Sequence, residues 1–368
     1  MLTQRRVLLL LSAYDPQTHR AAVAAAQRYH WHLDANLLVA QRMIRNWSGE
    51  GILCSLGNEK ALGDYVLSRG VPAVDLSTGR TDLKLPRVSA DNRAIGRLAA
   101  EHLLHYQHTN FAWFSSTRTP YGDLRLAGYR SALSERGYQV QRMDGKGCQS
   151  SELMLQRLQQ LERPCAILAM DDGDAGWLSN LCQNAGYHVP MDFAILGTDN
   201  NPLVCEVQSV PLSSIDKNAN QIVAQGAKRL DSLMKNADDP SDAIEYVQPV
   251  GVVTRASTDG FAVADELVRK ALSFLQMHLS EKVGTPEVAA MLGVSKTLLN
   301  QSFSKTMQTS LHQVLMRMRL REAATLLTAT DWNLSRIAEA TGFSHAAHLS
   351  NSFRKHYGCG TRAYRGRS

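Results

Sequence analysis

The chain of 368 residues has no Gly-x-Gly-x-x-Gly after its first strand-like run and no Walker loop anywhere. That argues against dinucleotide and nucleoside-triphosphate enzymes, whose phosphates need closely spaced glycines ahead of a helix N-terminus. Six cysteines (Cys54, Cys148, Cys165, Cys182, Cys205 and Cys359) are scattered, with no Cys-x-x-Cys and no histidines at metal-ligand spacing. Reduced, cytosolic thiols follow, and neither a metal nor a cofactor is expected. No apolar run approaches the roughly 20 residues of a membrane span. Arg5-Arg6 ahead of Val7–Leu11 mimics the start of a signal peptide, but the run is too short and Asp15-Pro16 follows. A buried strand fits it better, and a cytoplasmic protein with no membrane partner is expected.

What the chain does have is a repeat. Val288-Ala-Ala-Met-Leu-Gly-Val-Ser295 and Ile337-Ala-Glu-Ala-Thr-Gly-Phe-Ser344 lie 49 positions apart. Each places a β-branched residue, an Ala, three residues, a Gly, an apolar residue and a Ser in order. A small Ala lets a second helix cross closely, a Gly turns the chain without a Cβ penalty, and a Ser caps the next helix. Leu299-x-x-x-Phe303 and Leu349-x-x-x-Phe353 then repeat an apolar helical spacing. Two helix-turn-helix units in tandem imply binding to double-stranded DNA at tandem half-sites. Charge agrees: residues 260–368 hold 14 Lys and Arg against 7 Asp and Glu, a net of +7, while the whole chain carries +6. All the excess positive charge lies with the repeat, where a polyanion would need it.

The first 255 residues alternate strand-like runs (Val7–Leu11, Gly51–Cys54, Ala73–Leu76, Arg87–Val88, Phe111–Phe114, Ala166–Met170 and Phe193–Gly197) with amphipathic helical stretches. Such alternation predicts βαβ units, about ten strands and two Rossmann-like lobes. Ligands of open parallel sheets sit beyond the carboxyl ends of the strands. The polar residues there are Asp15, Ser77, Asp171, Asp172 and Asp199, with Arg125 on a helix after a strand. Carboxylates that accept pairs of hydroxyl hydrogen bonds, and an Arg fork that donates to adjacent oxygens, suit a polyhydroxyl ligand. Helix capping is an alternative role for Asp171-Asp172 and a turn role for Asp199.

Residues 256–266 are read as a polar linker, and residues 267–368 as entirely helical. Leu311–Ala329 carries Leu311, Val314, Leu315, Met318, Leu326 and Leu327, read as one apolar face. Its 19 residues would span roughly 28 Å, near the ~34 Å pitch of B-DNA. A single rigid arm could then set two recognition helices in successive major grooves.

The C-terminal motifs resemble the AraC/XylS family of transcription regulators: Ile337-Ala-x-x-x-Gly-Phe-Ser, Leu349-x-x-x-Phe353-Arg-Lys, Gly358 and Tyr364-Arg365. The chain departs from the family where Gly358-Cys-Gly-Thr361 lacks a following proline and where Leu349 replaces an aromatic. The first 255 residues are similar to the sugar-binding cores of LacI/GalR regulators, through Asp91-Asn92, Arg125-Leu-Ala-Gly128, Met170-Asp-Asp172, Gly197-Thr-Asp199 and Pro211-Leu-Ser-Ser-Ile215. Tyr14-Asp15, Ile44–Gly51, Val189-Pro190 and Arg255–Asp259 extend the likeness to a regulator that joins both parts.

The resemblance implies a two-lobed, periplasmic-binding-protein-like α/β domain over 1–255, with residues near 5–89 and 217–245 in one lobe and 90–216 in the other. It implies Asp15, Arg125, Asp171 and Asp199 as ligand-binding residues, with Ser77 a weaker member. The implied effector is a monosaccharide, D-xylose, and the implied partners are a second copy of the chain and RNA polymerase. Toward DNA it places Thr297, Asn300 and Gln301 of the first unit and His345, His348 and Asn351 of the second, with Arg354 and Lys355 on phosphates. Amides can pair bidentately with adenine, and a Thr methyl can touch thymine. Ser295 and Ser344 are read as caps. Sugar closing the lobes and so changing how two protomers present their DNA readers is the expected mechanism. A transport receptor would leave the basic repeat unused, and a sugar-modifying enzyme would need a nucleophile or acid–base pair that binding alone does not require.

Overall fold

The computed structural model describes residues 4–35, 47–145, 148, 150–235, 244–259, 265–307 and 309–365. Ile44–Asn46 and residues 260–264 of the expected linker lie outside the described residues. The chain divides into two units, Met1–Ala262 and Val263–Ser368.

Among the described residues the first unit holds twelve strands: β1 (Arg5–Leu11), β2 (Trp31–Asp34), β3 (Gly51–Ser55), β4 (Ala73–Asp75), β5 (Arg87–Ala90), β6 (Asn110–Phe114), β7 (Val140–Arg142), β8 (Cys165–Ala169), β9 (Phe193–Thr198), β10 (Ser213–Asp216), β11 (Ile244–Val247) and β12 (Gly251–Val253). They form two six-stranded sheets, ordered β11-β5-β4-β3-β1-β2 and β12-β10-β9-β8-β6-β7. Every pairing is parallel except β12 against β10. Parallel sheets covered on both faces need strands apolar on both sides. β1 meets that need: Val7, Leu9 and Leu11 join one core cluster, while Leu8 and Leu10 join another around Tyr65 and Val66.

Three crossings connect the lobes, at Asp91, at Lys217 and at Gln248, whose side-chain amide donates to Asp91 at 2.9 Å. The first two are where the sequence places them. The third, which returns β12 to the second lobe, is a further crossing. Helices Asn92–His105 and Pro120–Ser134 then pack almost backbone to backbone. A Cβ at Gly96 would lie 2.0 Å from the Arg125 carbonyl oxygen, and one at Gly128 would lie 2.1 Å from that of Arg93. Only glycines permit this approach.

The first residues of the segment read as a polar linker are packed into the first unit. Ser257 and Thr258 are fully buried. The Ser257 hydroxyl donates to the Ile195 carbonyl at 2.6 Å and accepts from the Ser213 amide at 2.8 Å. Its short polar residues supply hydrogen bonds to the flank of β9 and β10, so polarity here marks a paired interior and not exposure.

The second unit contains helices Glu266–Met277, Thr285–Met291, Lys296–Met307, Leu311–Ala329, Leu334–Ala340, Ala346–Tyr357 and Thr361–Arg365. Thr285–Met291 with Lys296–Met307, and Leu334–Ala340 with Ala346–Tyr357, are the two helix-turn-helix units. Val288, Ala289, Leu299 and Phe303 are buried, as are Ile337, Ala338, Leu349 and Phe353. Leu311–Ala329 forms with the bounds read from sequence, but it buries two faces. Leu311, Val314 and Leu315 are buried in its first half, and Leu320, Ala323, Ala324 and Leu327 in its second. At about 100° per residue these sets lie on nearly opposite sides of the helix. Only the second set joins the core of Ile337, Phe343, Leu349 and Phe353. Met318 and Leu326 are half-buried.

Candidate functional site: ligand cleft and nucleic-acid interface

Where the lobes meet, charged residues from both sides alternate in sign. Asp15 caps helix Pro16–Tyr29 through the Gln17 amide, 2.9 Å from Oδ1. Its Oδ2 accepts from the Thr18 hydroxyl at 2.8 Å and lies 2.9 Å from Lys217 Nζ. The same ammonium is 3.2 Å from Asp199 Oδ1, on the second lobe. Arg125 Nη2 is 3.7 Å from that oxygen. The guanidinium is held by three further contacts: Nε donates to Asn92 at 2.9 Å, Nη1 donates to the Met170 carbonyl, and the group lies over the Tyr121 ring. The Gly96–Gly128 crossing brings Asn92 within reach, so a packing feature aims a cleft side chain.

Asp199 and Asn200 both take positive φ, +110° and +51°. That strained loop turns the Asn200 carbonyl toward the opposite lobe, where Gln17 Nε2 donates to it. Burial pushes the Asp15 carboxyl up, but the Lys217 ammonium with the Thr18 and Gln17 hydrogen bonds outweighs it and holds the group low. Burial pulls Lys217 down, and Asp199 and Asp15 more than reverse this. Asp15 and Lys217 are therefore both charged near neutrality.

Asp171 caps helix Asp172–Asn184, accepting from the Asp174 amide at 2.8 Å. Burial, with Asp174 and Asp199 nearby, pushes its carboxyl up to about 6. Asp172 is buried, accepts from Ser214 at 2.5 Å and from the Asn201 amide at 2.7 Å, and is also pushed up by burial and by Asp199. Capping uses one carboxylate oxygen of Asp15 and one of Asp171. Ser77 is engaged inside the first lobe. Its hydroxyl donates to Asp75 at 2.8 Å and accepts from the Gly57 amide at 3.2 Å, bracing a loop. The structure thus joins Arg125 to Asp199 directly and Asp15 to Asp199 through Lys217, and adds Gln17, Asn92 and Asn200 beside them. Lys217 had one available signal: a cation at a lobe crossing, directly after the Ser213–Asp216 strand.

In the first helix-turn-helix, Thr297, Asn300 and Gln301 are exposed, and Ser295 caps by accepting from the Leu298 amide at 3.1 Å. The second unit differs. His345, not Ser344, is the N-cap of Ala346–Tyr357: its Nδ1 accepts from the His348 amide at 3.1 Å. Ser344 Oγ instead lies 3.1 Å from His348 Nδ1, and the His348 ring stands edge-on to Phe343. The His345 ring makes, one residue later, the same i+3 amide contact that Ser295 makes in the first unit. Capping by Nδ1 places the proton on Nε2, which leaves His345 a donor. Asn351, Arg354 and Lys355 are exposed.

Residues 100–258 match the periplasmic binding protein-like domain family, and residues 288–367 match a helix-turn-helix domain family. Together with the tandem helix-turn-helix fold they define the class: a transcription regulator with a helix-turn-helix DNA reader and a periplasmic-binding-protein-like domain. Over its length the chain is similar to the xylose operon regulatory protein of Escherichia coli (strain K12), 24% identical over 99% of this chain and 98% of that protein. The same-named protein of Haemophilus influenzae is 24% identical over 74% of this chain and 72% of its own. A solved structure of the xylose-binding transcription activator xylR shares the fold across 100% of this chain and 99% of its own, with a TM-score of 0.82 and 21% identity. Among the described residues no helix is long and apolar enough to cross a membrane.

Proposed function

We propose that the chain is a monosaccharide-responsive activator of transcription, with D-xylose as its effector, and that it is not an enzyme. The observation that carries this reading is the convergence of Asp15, Lys217, Asp199 and Arg125 from both lobes, on a chain that also holds two helix-turn-helix units. Asp15, Asp171 and Asp199 accept sugar hydroxyls, while Arg125 and Lys217 donate to ring and hydroxyl oxygens. Ser77 acts only through the loop it braces. The names of the relatives support the choice of pentose.

A sugar seated between the lobes exchanges cross-lobe ion pairs for contacts of its own. It shifts the balance of conformations only as far as it binds one arrangement better than the other. Two copies of the chain bind tandem half-sites through Thr297, Asn300 and Gln301, then His345, His348 and Asn351, with Arg354 and Lys355 on phosphates, and contact RNA polymerase there. Thermal-shift measurements with D-xylose, L-arabinose, D-ribose and D-glucose test the effector, with D-xylose expected to give the largest rise. DNase footprinting on duplexes selected in vitro by the full chain tests the rest. If no sugar alters occupancy of the two half-sites, the reading is wrong.

A further inference from the structure

The strained loop at the cleft is bonded on its far side to the segment by which the chain leaves the N-terminal unit. Asn200 is the link. Its backbone carbonyl accepts Gln17 Nε2 from the opposite lobe, and its amide donates to Ser214 at 2.9 Å. Its side-chain oxygen accepts from Arg255 Nη2 at 2.9 Å. Arg255 is itself fixed to the second lobe: Nη1 donates to the Leu212 carbonyl at 2.9 Å, and its backbone exchanges two 2.8 Å hydrogen bonds with the Ser213 hydroxyl. Glu206 lies 3.5 Å from the same guanidinium, so its charge is balanced without the cleft.

Two residues further on, Ser257 and Thr258 are stitched to β9, β10 and His102 through buried hydroxyls. Thr258 Oγ1 lies 2.7 Å from Ser213 Oγ and 2.8 Å from His102 Nε2. A displaced Arg255 therefore moves a paired segment and not a slack one. From Arg255 the chain runs only eight residues to Val263, where the DNA-reading unit begins.

We propose that Arg255 is a positioning residue that couples the cleft loop Asp199–Asn201 to the exit segment 254–259, so that a sugar held by Asp199 resets the segment leading to the DNA reader. This rests on the sugar-responsive reading above. A planar guanidinium bridging a loop side chain and a strand carbonyl transmits loop position with defined geometry, which an ammonium would do less completely.

Hydrogen exchange of the full chain, with and without saturating D-xylose, tests it. If another sugar of the panel gives the larger thermal shift, that sugar replaces D-xylose. The exchange rates of amides 254–259 are expected to change at least fivefold in the wild type. In Arg255→Met the change should fall below twofold, with the sugar Kd held within threefold. Arg255→Lys should recover part of it. Asn200→Gly, which suits the positive φ and deletes the acceptor, should also bring the exchange response of 254–259 below twofold. A wild-type segment unmoved by bound sugar, an Arg255→Met variant that keeps the full response, or one that loses sugar affinity tenfold would each overturn the coupling. If no sugar of the panel binds the wild type, the sugar-responsive reading itself falls, and the coupling with it.

Discussion

Lys217 Nζ lies 2.9 Å from Asp15, and through that contact one lobe is tied to the strand that ends in the other. The ammonium stands on the middle crossing, one residue beyond β10, and its second carboxylate is Asp199 at 3.2 Å. One cation thus screens two acids from opposite lobes. Remove it and the lobes present like charges to each other across the cleft.

Lys217→Met is accordingly expected to destabilise the N-terminal unit by about 3 kcal/mol, the range for breaking a largely buried ion pair from one side. Lys217→Met with Asp199→Asn should recover part of the loss, because the second change removes the stranded charge. Chemical denaturation of the full chain, followed by Trp31, Trp47, Trp113 and Trp177, reads both. Equal stability of Lys217→Met and wild type would show that Asp15 and Asp199 do not depend on the ammonium.

The central strands were legible in the sequence because burial on both faces leaves a continuous apolar run, as in Val7–Leu11 and Phe111–Phe114. The four edge strands, β2, β7, β11 and β12, were not. Each is three or four residues long and partly exposed, as at Gln141, Glu245 and Tyr246. β10 was missed for a different reason: its two buried serines answer Asp172 and the exit segment, so it reads as a polar turn. The anionic part of the cleft could be read from strand ends and from resemblance. Asn200 could not, and Lys217 offered only its place at an expected crossing, since both roles come from pairing across the lobes. The one-face reading of Leu311–Ala329 failed because two helix-turn-helix units make demands half a turn apart.

Asp171 gives the N-terminal unit a distinct pH dependence. A carboxyl raised on folding holds its proton more tightly in the native chain than in the unfolded one. Its cost is absent below the ordinary 3.8 and grows until the pH passes about 6, reaching on the order of 3 kcal/mol. Asp171→Asn keeps an oxygen for the Asp174 amide and cannot ionise. The variant should therefore gain stability over the wild type at pH 7.5 and lose most of that gain at pH 4. Thermal unfolding at the two pH values decides it. Parallel stability profiles would mean that Asp171 titrates normally.

The two turn glycines are not equivalent. Gly293 and Gly342 both take positive φ, +66° and +72°. A Cβ at Gly293 would meet nothing within 4 Å, whereas one at Gly342 would lie 2.5 Å from the Leu279 carbonyl oxygen and 2.8 Å from Arg319. Arg319 cannot withdraw freely, because its Nε and Nη2 donate to the carbonyls of Leu279 and Glu281. Gly293→Ala should cost about 1 kcal/mol for the left-handed backbone alone. Gly342→Ala should cost about 3 kcal/mol, by adding the clash and a broken carbonyl clamp. Hydrogen exchange in peptides from residues 334–357 should accelerate strongly in the second variant and little in the first.

The recognition faces make separable predictions. Asn300 is exposed on Lys296–Met307 and has no capping duty, so Asn300→Ala should relax preference at a single base pair by about 1–3 kcal/mol. Lys355, in the last turn of Ala346–Tyr357, should act on phosphate. Lys355→Ala should weaken all sequences alike and lower the salt slope by about 1. His345 does two jobs, capping through Nδ1 and leaving Nε2 free to donate. His345→Ala should therefore lose about 1 kcal/mol of helix stability together with DNA affinity. His345→Asn should keep the cap and lose only the base contact, because its side-chain oxygen can take the His348 amide while its reach is shorter. Binding titrations on selected duplexes at several salt concentrations, paired with helix stability, separate these cases. A Lys355→Ala variant that changed sequence preference, or an Asn300→Ala variant that changed only the salt slope, would exchange the roles assigned to the two faces.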